Sequence, residues 1–178
     1  MFKFICGFNA TIWLLLFLSF LFGLDIYYEN LCGACLLMSF VAVLIFWSYI
    51  KSISPKKNRL MSIAAVFGII SCTLYIVINL YQWILSGFIC KYNVLYILPL
   101  ILEITSFLMV IRFFRVFQKI VIVFLVVSCI IEMIVQLPFI SSYELIWYQI
   151  SLICPLIYSL SHGIFFISLL KLKSNREK

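Results

Sequence analysis

Charge is scarce in this chain, and what there is of it is lopsided. Charged residues make up 11% of the sequence against 66% hydrophobic residues, and 13 Lys and Arg stand against 6 Asp and Glu. A soluble domain carries roughly 25% charged and about 45 to 50% apolar residues, so the shortage of polar surface excludes a water-soluble fold. Long polar stretches are missing too. The largest, at 51–59, is a loop's length, which excludes a separate extramembrane domain within the sequence. Histidine occurs once, and it and the acidic residues at 103 and 132 fall in separate apolar runs, so no ligand spacing for a metal centre is present. Proline and glycine are few, at 4 and 6, which leaves the apolar runs largely uninterrupted.

Those runs are what the sequence has in abundance. Apolar stretches of near 20 residues recur along the chain, each long enough as a helix to cross about 30 Å of hydrocarbon. Many Ile, Val and Phe residues would favour strands in water, but inside a bilayer each segment must satisfy its own backbone N–H and C=O groups, which selects helices. The sequence thus predicts an all-α, polytopic membrane protein, a compact bundle of about six transmembrane helices with short loops. The spans are expected near 8–26, 32–50, 60–84, 94–111, 117–138 and 146–170, as one transmembrane domain over 1–178.

A formal charge of +7 could serve nucleic acid, but the placement of the charges gives another reason for it. Lys3, then Lys51, Lys56, Lys57 and Arg59, then Arg112, Arg115 and Lys119, then Lys171, Lys173, Arg176 and Lys178 fall in alternate segments, leaving Lys91 on the other side. Lys and Arg accumulate in short cytoplasmic loops, so both termini are expected in the cytoplasm and the membrane is expected to be the plasma (inner) membrane, with lipid rather than nucleic acid as partner. The first run does not read as a cleaved signal peptide, because no small-residue cleavage site follows it directly. Asn9-Ala10-Thr11 has the form of a glycosylation sequon, yet on the expected cytoplasmic side it has no use.

Polar residues within the spans carry the functional information. A charged side chain facing lipid at mid-bilayer costs at least about 2.5 to 3.5 kcal/mol, so it turns toward other helices or trapped water. Glu103 lies near the middle of the fourth span, one turn past Pro99, whose missing N–H is expected to leave a carbonyl free and bend the helix. Glu132 and Gln136 share a face of the fifth span with Ser128 and Cys129; Cys72, Tyr75, Asn79 and Gln82 share one of the third; His162 stands in the sixth with Ser159 and Ser161. The expectation is an outward-facing polar pocket among helices three to six, in which Glu103, Glu132, His162, Asn79 and Gln136 bind a small solute, a cation or a proton. Hydrogen bonding between helices is the alternative role for Asn79, Gln82 and Gln136, and packing is the alternative for His162.

Two further features bear on function. Cys32-Gly33-Ala34-Cys35 sets a C-x-x-C pair at the outer start of the second span, with Cys90 on the same side. This placement resembles the bacterial membrane thiol-quinone oxidoreductases and vitamin K epoxide reductase, and the resemblance implies Cys32 and Cys35 as a redox pair and a quinone as cofactor. It extends over the first two helices, and the second external cysteine pair of those families is here a single Cys90. Six short-looped spans are similar in size and topology to the substrate-binding subunits of ATP-driven vitamin transporters, which implies a partner membrane subunit; the Ala-x-x-x-Ala pattern of such subunits is absent. Transport, thiol oxidation and a non-catalytic accessory role, alone or as a homo-oligomer, all stand open. Cys6, Cys72, Cys129 and Cys154 read as apolar filler, and Trp47 as part of an inner interfacial aromatic belt.

Overall fold

A computed structural model describes residues 1–22, 29–54, 58–86, 94–135 and 144–174. Among them are six α-helices and no strand: α1 (Phe2–Leu21), α2 (Glu29–Ile53), α3 (Arg59–Ser86), α4 (Ile97–Val110), α5 (Val116–Val135) and α6 (Glu144–Ser174). Five of these are by themselves long and apolar enough to cross a membrane. The exception is α4, which is extended at both ends by 3-10 turns, Val94–Tyr96 and Ile111–Phe113. At 1.5 Å per α residue and 2.0 Å per 3-10 residue, the whole segment reaches about 33 Å, the thickness of the hydrocarbon. The protein is an all-α helical membrane bundle.

Each helix packs on its neighbours in sequence, and α6 returns to pack on α1, so the six form a closed ring. Residue pairings make successive helices antiparallel. Phe2 meets Tyr49 while Trp13 meets Phe40; Lys51 bonds Ser62 while Phe40 stacks on Tyr75; Gln118 bonds the Ser168 carbonyl on α6. The ends of the ring therefore differ in charge. Lys3, Lys51, Arg59, Arg112, Arg115 and Lys119 all belong to helix ends that gather at one side, called here the basic end.

A ring of six leaves an axis to be filled, and large rings fill it. Trp13, Phe46, Trp47, Phe107, Phe165 and Phe166 are among the most fully buried side chains. Phe46, Trp47, Phe107, Phe165 and Phe166 pack mainly edge to face at 5.1 to 5.5 Å between centroids, which forms an aromatic layer across the half of the ring nearer the basic end. Trp47 is thus an interior residue rather than an interfacial anchor. Its indole lies flat on the backbone of α3 at Gly68, where a Cβ would overlap the ring. The outer wall is apolar as well: Val116, Phe117, Ile120, Val123, Phe124 and Val127 line the exposed side of α5, as a lipid-facing surface requires.

The two prolines inside the spans act differently. Pro99 falls in the first turn of α4, where backbone N–H groups have no intrahelical acceptor, so the expected bend is not called for. Its carbonyl accepts a 2.8 Å bond from Ser71 Oγ on α3. Pro155 stands within α6 and removes one helical donor just before the residues that build the central site.

Candidate functional site: a buried carboxyl–imidazole pair

The centre of the ring is polar. Glu103, on the inner face of α4, keeps 5% of its surface exposed and His162, on α6, keeps none. Their side chains meet, with His162 Nε2 at 2.7 Å from Glu103 Oε1. The other carboxyl oxygen, Oε2, accepts from the Tyr158 hydroxyl at 2.7 Å and lies 3.4 Å from that of Tyr75. Helices α3 and α6 thus aim polar groups at one carboxyl on α4 within the membrane interior.

Hydrogen counting constrains what this pair can hold. His162 Nδ1 lies 3.0 Å from the Tyr158 backbone carbonyl, a group that can only accept, so Nδ1 carries a hydrogen. The Nε2 to Oε1 contact then contains one proton: with none, a nitrogen lone pair would face a carboxylate, and with two, hydrogens would collide. Either imidazolium faces carboxylate or imidazole faces carboxylic acid. Both are neutral overall, and they differ by the position of one hydrogen along a 2.7 Å line, a length typical of charge-assisted bonds.

Aromatic rings fix this geometry. The Trp13 indole stacks on the His162 ring at 4.3 Å with 25° between planes, and Phe107 meets that ring edge-on. Phe40 stacks on Tyr75 at 4.2 Å and Tyr75 on Tyr96 at 5.8 Å. The Tyr96 hydroxyl then lies 2.9 Å from Asn79 Oδ1 and 3.1 Å from Gln82 Oε1, sharing its hydrogen between them, while Asn79 Nδ2 donates to the Tyr75 carbonyl at 2.7 Å. Polar groups therefore run from Glu103 along α3 toward the end opposite the basic one. On the other side of His162 stands the aromatic layer.

The residues expected from sequence are distributed as follows. Glu103 and His162 are brought into direct contact, and Asn79 belongs to the polar trail leading to them. Glu132 is partly buried on α5, within electrostatic reach of Tyr75, Cys129 and Cys154. Gln136 lies outside the described residues. Of the C-x-x-C pair, Cys35 is partly buried and packed against the core, whereas the Cys32 side chain and Cys90 lie outside what is described. Cys6, Cys72, Cys129 and Cys154 are buried free thiols. Asn9, of the sequon, is fully buried and bridges α1 to α2 by donating to the Ala42 carbonyl at 2.9 Å. Among the described residues no group of three or more His, Cys, Asp or Glu is placed to hold a metal ion.

Tyr158, Tyr96 and Trp13 complete the site without having been singled out as site residues. Tyr158 carries a signal in hindsight: it precedes His162 by four, so both share a face of α6. Trp13 carries none, because its role depends on the ring closing α1 against α6. No protein-family model, curated protein or solved structure matches the chain.

Proposed function

We propose that this membrane protein moves or senses a small solute by proton coupling, with the Glu103–His162 pair as the protonation centre. One observation carries the reading: a carboxyl and an imidazole buried in a bilayer-spanning bundle, 2.7 Å apart, with two tyrosine hydroxyls directed at the carboxyl. A merely structural link is met more cheaply by Asn, Gln or Ser, which join membrane helices at about 0.6 kcal/mol on average without placing an ionisable group in hydrocarbon.

In this reading the polar trail from Gln82 and Asn79 through Tyr96 and Tyr75 is the approach to Glu103. The basic end is cytoplasmic by the excess of Lys and Arg, so the approach is from the outside and the aromatic layer closes the cytoplasmic half. A proton or a cationic solute arriving at Oε2 displaces the hydroxyl of Tyr75, whose contact is the longer of the two. Glu103 then passes its shared proton to His162 Nε2 or takes it back. Moving that hydrogen switches the pair between two opposite charges and two neutral groups, and the helices α4 and α6 that carry them are the elements this change would shift.

The test needs no knowledge of the solute. Proteoliposomes on a solid-supported membrane, given a step in external pH, are expected to show a transient current in the wild type and none in Glu103→Gln, with Glu132→Gln keeping part of it. A current unchanged in folded Glu103→Gln protein overturns the assignment.

A further inference from the structure

Two buried polar atoms on α1, one of them on the indole that stacks on His162, have no hydrogen-bond partner. Asn9 Oδ1 and Trp13 Nε1 make no hydrogen bond, although Asn9 has no exposed surface and Trp13 keeps 1%. The large majority of buried side-chain polar atoms in native proteins are hydrogen-bonded by protein or by ordered water. The two atoms are also complementary. Oδ1 can only accept, and the indole N–H can only donate.

Neither can be satisfied by local rearrangement. Asn9 Nδ2 donates to the Ile5 and Ala42 carbonyls, both at 2.9 Å, so flipping the amide would set an oxygen against two carbonyls. Turning the Trp13 indole would break its stack on His162 and its edge contacts with Phe40 and Tyr158. The residues are four apart on α1, which puts them on one face about 6 Å apart along the axis. Side chains so placed are neighbours, and a single small molecule that accepts from one and donates to the other can serve both.

We infer that a water molecule is bound between Asn9 and Trp13, on the basic-end side of His162. Water is the ligand of that size able to accept from Nε1 and donate to Oδ1 at once, and buried water in proteins occupies sites with 2 to 4 such partners. The site stands on these two residues alone. Its place as the first hydrated point beyond His162, toward the end the aromatic layer closes, rests on the proton-coupled reading above.

The experiment uses the full-length protein with 15N-labelled tryptophan in lipid nanodiscs. The Trp13 indole signal is assigned by its loss in Trp13→Phe, or by elimination with Trp47→Phe, Trp83→Phe and Trp147→Phe should the first variant not fold. Cross-relaxation between water and the Trp13 indole proton, with the sign of a bound molecule, is expected in the wild type and is expected to vanish in Asn9→Leu. Absence of that contact in the folded wild type overturns the inference without requiring any variant, and a contact that persists unchanged in Asn9→Leu overturns the two-partner site. A wild-type water contact together with missing pH-step currents would leave the water site standing and remove the proton-coupled function.

Discussion

Removing both partners of the central pair should cost less than the sum of removing each alone. In His162→Leu the 2.7 Å bond to Glu103 Oε1 is lost and the carboxyl keeps the Tyr158 hydroxyl as its only close donor. Stripping one member from a buried pair costs about 3 to 5 kcal/mol when the other must stay charged, and about 1 to 3 kcal/mol when it survives as an unsatisfied neutral group. Glu103→Leu likewise leaves Nε2 without a partner and Tyr158 without an acceptor. In the double variant the first of these penalties disappears, because neither half of the contact remains. The cycle should therefore show a coupling of about 1.5 to 3 kcal/mol, the range for hydrogen bonds to charged groups. Reversible unfolding in mixed micelles, followed by circular dichroism as denaturing detergent is titrated in, measures all four species. Coupling at or below about 0.6 kcal/mol, the average for polar contacts between membrane helices, would reduce the pair to ordinary interhelical glue and refute the reasoning.

The two tyrosines should separate in the same assay: Tyr158→Phe, which loses the 2.7 Å bond, is expected to destabilise by about 1 kcal/mol, and Tyr75→Phe, at 3.4 Å, by clearly less. Gly68→Ala sets a methyl into the Trp47 indole and should cost about 1 to 3 kcal/mol, read as an earlier unfolding midpoint. Cys6, Cys72, Cys129 and Cys154 should resist maleimide in the folded protein and react after denaturation, as counted by mass spectrometry; rapid reaction at any of them would show the bundle to be more open than described.

The helices were legible in the sequence, whereas their rotations were not. Apolar runs located six segments because hydrocarbon imposes a length and an all-helical backbone. Helix ends were less legible than the spans. The first run was expected from about residue 8, yet α1 begins at Phe2, since Lys3 and Asn9 lower hydropathy without breaking a helix. Glu103 and His162 stood out because ionisable residues in hydrocarbon need a reason to be there. Their contact was not deducible, because residues facing lipid and residues facing the ring axis are equally apolar and the helix faces carry little contrast. The same indifference hid Trp13 and sent Trp47 to the interface on paper when it lies 2% exposed in the core. Pro99 was read as a mid-helix bend because hydropathy does not locate the 3-10 turn at Val94–Tyr96 that puts it in the first turn of α4.

The chain contains one histidine, so 15N-histidine labelling gives a single residue's signals and needs no assignment. Magic-angle-spinning spectra in lipid bilayers should show Nδ1 bearing a hydrogen, and Nε2 in a strong hydrogen bond whose signal moves in Glu103→Gln while Nδ1 stays in place. A bare, pyridine-like Nδ1, or an Nε2 signal indifferent to the Glu103 substitution, would contradict the shared proton on which the site is built.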